Sequence, residues 1–314
     1  MKSMSFPRVA ALVALSCSVL ALTSCVARRR VITRSKTAPN QSLKTSNQSL
    51  LLGVVRTEYE SIQDLNATVD MVPAVGSVNK GKITEYKDFL AYIFFKKPAE
   101  MRIIGLYPVV RNKAFDMVSN GTDFRLFVPS KNQFIEGRNE PAVAPSPKKI
   151  ENLRPSVFLD ALLIRPPDAK EFAVLSDFTD EDNAVYILHI LYNGTDGQLH
   201  MARDIWFSRI TLNIIRQVIF DPKGNILTDA RYSDWKAYDG IPFPRVIDIN
   251  RPQDEYGVVM TVVKADINKP IADSKFVLEQ PEGTVRQVLG AKPEPQATTP
   301  AAPSSASRKK KTAE

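Results

Sequence analysis

Short stretches of alternating apolar and polar residues, each closed by a turn-forming pair, dominate the chain from residue 101 onward. Met101–Leu106 runs into Tyr107-Pro108, Lys113–Val118 into Asn120-Gly121, Phe124–Val128 into Pro129-Ser130-Lys131-Asn132, and Gln133–Glu136 into Gly137. The rhythm returns with Glu171–Phe178, Ala184–Tyr192, Gln198–Phe207, Leu212–Phe220, Ile226–Trp235, Phe243–Ile249 and Gly257–Ala265. Turns such as Asp196-Gly197, Lys223-Gly224 and Asp239-Gly240 separate them. A period of two with connections this short permits antiparallel hairpins, because parallel neighbours need a crossover of a dozen or more residues. A parallel nucleotide-binding sheet is not expected, because strands and helices do not alternate.

Two segments break the rhythm. Ser49–Asn66 carries Leu50, Leu51, Val54, Val55, Tyr59, Ile62 and Leu65 at spacings of three and four, the period of an amphipathic helix. Pro155–Ile164 predicts a short helix with proline in its first turn, apolar nearly all round except Asp160, and so in contact on more than one side. Between residues 67 and 95 extended structure returns, with a hairpin loop expected near 74–80. About eleven strands and two helices make the chain mainly β, of α+β class. The expected form is one antiparallel sheet, too wide to stay flat, curling into an incomplete barrel with a helical lid.

The N-terminus reads as an address. Lys2 and Arg8 precede an apolar stretch from Val9 to Leu22, too short to be read as a membrane span. Leu22-Thr23-Ser24-Cys25 resembles the lipobox of bacterial lipoproteins, in which the cysteine thiol is lipidated before cleavage. That makes residues 1–24 a signal and Cys25 the lipidation site; an ordinary cleaved signal or an uncleaved anchor is the alternative. Val26, in place of an aspartate, leans toward the outer membrane and a domain facing the periplasm.

The charge is unevenly placed. The 314 residues carry a net charge of +8, yet residues 50–290 hold 29 basic and 32 acidic residues. Basicity therefore belongs to the flanks, and nucleic acid is not the expected partner. Residues 25–48 read as a disordered tether and 284–314 as a Pro/Ala/Ser-rich basic tail, enclosing a folded unit over 49–283.

Catalytic signatures are absent: neither a Gly-x-Ser-x-Gly elbow nor a glycine-rich phosphate loop occurs. His189 and His200 fall across a predicted hairpin and are either ordinary strand residues or a metal pair lacking a third ligand. Asp177, Asp180, Glu181 and Asp182 form either a solvated turn or a calcium loop, without the glycine punctuation of the latter. Trp206 and Trp235 fill the core or line a cavity. The reading is of a non-enzyme with no cofactor and no metal.

The order of elements, with local phrases, resembles a known superfamily. Lys97-Pro98-Ala99-Glu100-Met101-Arg102, the hairpin from Phe115 to Asn120-Gly121 and Phe124 to Pro129, and Tyr238-Asp239-Gly240-Ile241-Pro242-Phe243-Pro244 are similar to LolA/LolB-like proteins over about residues 48–280. That resemblance implies a half-barrel with a helical lid over an apolar cavity for acyl chains of lipoproteins or lipids, here in the membrane-tethered receptor style. Leu90, Tyr92, Phe94, Ile103, Phe158, Leu162, Ile187 and Trp206 are the expected lining. Four to six buried methylenes at ~0.8 kcal/mol each would give reversible capture. The rival readings are a sensing or protein-binding module on the same scaffold, with a periplasmic partner, and a structural lipoprotein.

Overall fold

The computed structural model describes residues 27–29, 42–77, 81–139, 154–180 and 182–289, with backbone alone for 27–29 and 77. Cys25 and the segments flanking these ranges, including the expected signal, lie outside the described residues.

Two α-helices and sixteen strands are formed among them. Helix α1 (Gln48–Ser61) opens at Asn47, whose Oδ1 accepts the Leu50 N–H at 2.9 Å. Its buried stripe is Leu51 and Val55, one turn apart. Helix α2 (Pro155–Leu162) starts at Pro155, where a missing N–H costs nothing. Strands β1 (Ala27–Arg29), β2 (Asp64–Ser77), β3 (Lys82–Tyr86), β4 (Phe89–Lys96), β5 (Glu100–Leu106), β6 (Lys113–Ser119), β7 (Asp123–Val128) and β8 (Gln133–Arg138) precede α2. Strands β9 (Glu171–Thr179), β10 (Ala184–Asn193), β11 (Leu199–Ser208), β12 (Ile214–Phe220), β13 (Ile226–Tyr238), β14 (Ile241–Arg251), β15 (Tyr256–Ile267) and β16 (Val285–Val288) follow it.

They form one open sheet in the order β16-β8-β7-β6-β5-β4-β2-β15-β14-β13-β12-β11-β10-β9, with β3 beside the end of β2 and β1 beside β3. Every pairing is antiparallel except β16 on β8. The sheet curls: α2 packs against β5 and β6 and also against β14, although four strands separate β6 from β14 in the order. It is the incomplete barrel that the turn-rich sequence predicts.

Four boundaries differ from expectation, the first being that α1 ends at Ser61 and does not run to Asn66, because Asp64–Asn66 already belong to β2. Strand β2 runs through Pro73 to Ser77, shortening the loop expected at 74–80. Gly76 permits this, for it has φ of +117° and an added Cβ would run into the Lys82 carbonyl oxygen. Strand β16 falls inside the stretch read as tail from residue 284, and β1 inside the stretch read as tether. The strand count rises from about eleven to sixteen, chiefly through short strands such as β1, β3 and β16.

The inner face, under the helices, holds the main core. Leu51, Val55, Val157, Phe158, Ala161 and Leu162 from the helices meet Ala67, Val69, Ala91, Ile93, Phe95, Ile103, Leu188, Ile205 and Ile247 from the sheet. A smaller cluster on the outer face joins Phe94, Val118, Phe127 and Phe134 to Phe276 and Leu278 of the C-terminal segment. Arg102 fastens that segment by donating to the Lys275 and Val277 carbonyls at 2.9 and 3.2 Å. The same guanidinium makes two 2.8 Å bonds to Asp116, which also accepts from Lys113 at 2.7 Å.

Candidate functional site

Space against α2 is divided in two by Leu163, just past the helix end. On one side is an apolar cleft of about 30 Å³ between α1 and α2, roofed by Tyr59, Ile62, Ala161 and Leu162 and floored by Tyr232, Trp235 and Phe243. Among the described residues the helices and the sheet meet in one continuous core, and the space between them is a narrow cleft rather than an open hollow. Two polar groups intrude. Glu58 points from α1 into the seam, and burial pushes its carboxyl up to about 7. The Tyr232 hydroxyl is buried without a hydrogen-bond partner, and burial raises its ionisation well beyond the ordinary range. Trp235 is oriented by its Nε1, which donates to the Ile214 carbonyl at 3.2 Å.

On the other side is a polar cavity of about 180 Å³ walled by Asp160, Leu163, Arg165, Ala202, Arg203, Gln217 and Ile219. Gln217 Nε2 donates to the Asp160 carbonyl at 2.9 Å and so ties the last turn of α2 to β12. Glu171 accepts from both Arg165 terminal nitrogens at 3.0 and 2.9 Å and from Arg203 Nη2 at 3.2 Å. Arg203 is only 5% exposed; burial, then repulsion from Arg165, pulls its guanidinium down to about 10. Asp160 is exposed by surface area yet sits in a concave site. The surrounding protein lifts its carboxyl to about 6, against the pull of Arg165, Arg203 and Arg251.

The eight residues expected to line a cavity split between the faces. Ile103, Phe158 and Leu162 lie in the inner core, and Leu162 lines the cleft. Leu90, Tyr92 and Phe94 alternate with the inward Ala91, Ile93 and Phe95 and so face outward; Phe94 packs in the outer cluster. Ile187 and Trp206 are paired across β10 and β11 and alternate with the inward Leu188 and Ile205. Trp206 meets Phe178 edge-on at 6.3 Å and lies under Arg216 at 4.9 Å. An apolar strand with bulky residues on both faces carries no signal of phase, and a slip of one residue exchanges the faces. Glu58, Tyr232 and Arg203 were missed because a single polar residue in an apolar pattern looks like noise until its neighbours are known.

The histidines do not converge. His189 Nδ1 lies 2.7 Å from Asp204 and its Nε2 2.9 Å from Ser176 Oγ, whereas His200 lies between Asp196 and the Pro222 carbonyl. Among the described residues no three of His, Cys, Asp and Glu gather as a metal site. Ser176, His189 and Asp204 follow the order of a hydrolase relay, but on the outward face of three neighbouring strands. A relay needs donors aimed at a developing oxyanion in an enclosed site. We read the trio as a polar ladder fixing β9 to β10 and β11. Asp180 Oδ1 accepts from the backbone of Asp182 and Asn183, a turn of the Asx kind; Glu181 lies outside the described residues.

One surface feature had no sequence signal. The loop after β5 presents Val109 and Val110 at 82% and 64% exposure, next to the exposed Tyr107. No helix among the described residues is long and apolar enough to cross a membrane.

No protein-family model matches this chain, and no curated protein does. Solved structures do. A DUF1329 family protein from Desulfovibrio piger is 16% identical over 72% of this chain and 94% of that one, with a TM-score of 0.49. A LolA superfamily protein from Nitrosomonas europaea is 12% identical over 72% and 97%, with a TM-score of 0.47. A domain named for outer membrane lipoprotein sorting, from Vibrio parahaemolyticus, is 11% identical over 72% and 94%, with a TM-score of 0.48. The likeness is one of fold alone.

Proposed function

We propose that this is a lipid-anchored envelope protein that takes up acyl chains of lipoproteins or lipids on the inner face of its sheet, with α2 as the lid. The observation that carries the reading is the seam between α1 and α2: an apolar inner face closed by two helices, of which α2 has only eight residues. A cleft of about 30 Å³ cannot hold a chain, so uptake requires α2 to lift. Lifting uncovers Val157, Phe158, Leu162 and Leu163. At ~2 kcal/mol each this costs about 8 kcal/mol, and ten to twelve methylenes at ~0.8 kcal/mol return about 8–10 kcal/mol. The two nearly cancel, which is the condition for capture and release.

Cys25 would tether the protein, with the domain facing the periplasm and the outer membrane the favoured site. Exposed Val109 and Val110 would meet the bilayer or a partner. The test is a titration of the Trp206→Phe variant, whose remaining tryptophan lines the seam, with an uncharged monoacylglycerol below its critical micelle concentration. Saturable change in Trp235 emission supports uptake, and a flat titration rejects it. Labelled palmitate incorporated by the full chain and lost in Cys25→Ser would support the anchor.

A further inference from the structure

The acyl reading leaves the polar cavity beside α2 unexplained. Lipid-chain burial has no use for it, and it is far larger than the ~15 Å³ that admits one water. Its charges are also not satisfied among themselves. Glu171 accepts from Arg165 and Arg203 together, and Arg165 also lies 3.7 Å from Asp168. Arg203 Nε is buried with no partner. An unpaired donor on a buried cation costs free energy unless something fills it. Asp160, across the same cavity, has no hydrogen-bond partner for its carboxylate among the described residues, while its main-chain carbonyl is taken by Gln217. The remaining wall is Leu163, Ala202 and Ile219, and Leu163 also lines the acyl seam.

A complementary ligand needs three parts. It needs an anion with oxygens for two arginines, which a tetrahedral phosphate offers in more directions than a planar carboxylate. It needs a primary ammonium for Asp160. It also needs an apolar continuation past Leu163. We infer that the cavity is a headgroup site for a phosphoethanolamine lipid, with phosphate at Arg203 and Arg165, ammonium at Asp160, and acyl chains turning past Leu163 into the seam. This rests on the acyl reading above and deepens it. The ligand is thereby a zwitterionic lipid with a primary amine. Phosphoglycerol offers no cation to Asp160, and the quaternary ammonium of phosphocholine donates no hydrogen bond.

The experiment is calorimetric titration of the full chain in a neutral detergent with dihexanoyl phosphatidylethanolamine, phosphatidylglycerol and phosphatidylcholine, and with free phosphoethanolamine. Phosphatidylethanolamine should bind at least tenfold more tightly than the other two lipids. Asp160→Asn, on the accessible side of α2, should erase that preference while leaving phosphatidylglycerol binding within twofold of wild type. Arg203→Gln should weaken all three, with circular dichroism reporting whether it folds. Equal affinity for the three lipids, a preference that survives Asp160→Asn, or binding of free phosphoethanolamine without the lipids overturns the assignment. The uncharged monoacylglycerol titration separates the two failures. If that probe binds while no headgroup preference exists, the headgroup site alone falls; if neither binds, both readings fall.

Discussion

Phe158 is the largest side chain that α2 buries, at 4% exposure, and it is the bolt of the proposed lid. Phe158→Ala removes about 2 kcal/mol of burial from the closed state and much less from the lifted one, where the ring is already in water. If lifting precedes uptake, apparent affinity scales with the lifted fraction. A loss of ~2 kcal/mol therefore raises that fraction about 30-fold and should tighten monoacylglycerol binding by up to the same factor. Global stability should fall too, by about the same 2 kcal/mol, because the ring is in water in the unfolded chain as it is in the lifted state. The assay pairs Trp235 emission with urea unfolding. Weaker binding together with lower stability would refute the argument, for it would make Phe158 a wall of the ligand site and not a closure of it.

Other expectations follow from the ionised groups. Burial raises Glu58 from 4.5 to about 7, so the folded state favours its neutral form. Its ionisation penalty is absent below pH ~4.5, grows through the interval and is complete above pH ~7, at an upper bound of ~3 kcal/mol. Glu58→Gln should therefore stabilise the protein at pH 8 and leave it unchanged at pH 4.5; equal effects at both would remove the burial argument. Asp116 is fully buried between Arg102 and Lys113, and Asp116→Ala strands the Arg102 charge and loosens the C-terminal segment. Thermal unfolding should show a loss of ~3–5 kcal/mol, and a loss under 1 kcal/mol would mean that the triad is solvated.

The class of fold was legible because turns are local. Asn120-Gly121 and Asp239-Gly240 do close hairpins, and the two helix periods fall where α1 and α2 form. Strand phase was not legible. Phe89 to Phe95 is apolar at every position, so only contact with the helices makes Ile93 inward and Phe94 outward. Nor could the polar site be read, since Asp160, Arg165, Glu171, Arg203 and Gln217 come from α2, the segment after it, β9, β11 and β12, and meet only once those strands pair and α2 packs on them. The short strands escaped because four residues such as Val285–Val288 take their conformation from β8 beside them. The apolar tip at Val109-Val110 resembles core in sequence, and only its place at a loop marks it as surface.

The most direct measurement is hydrogen exchange at the amides of residues 156–164, with and without saturating monoacylglycerol. Lifting of α2 predicts faster exchange there in the loaded protein, with the strands beneath protected as before or better. Binding that leaves these amides unchanged or slower, with α2 still seated on the sheet, would contradict the lid.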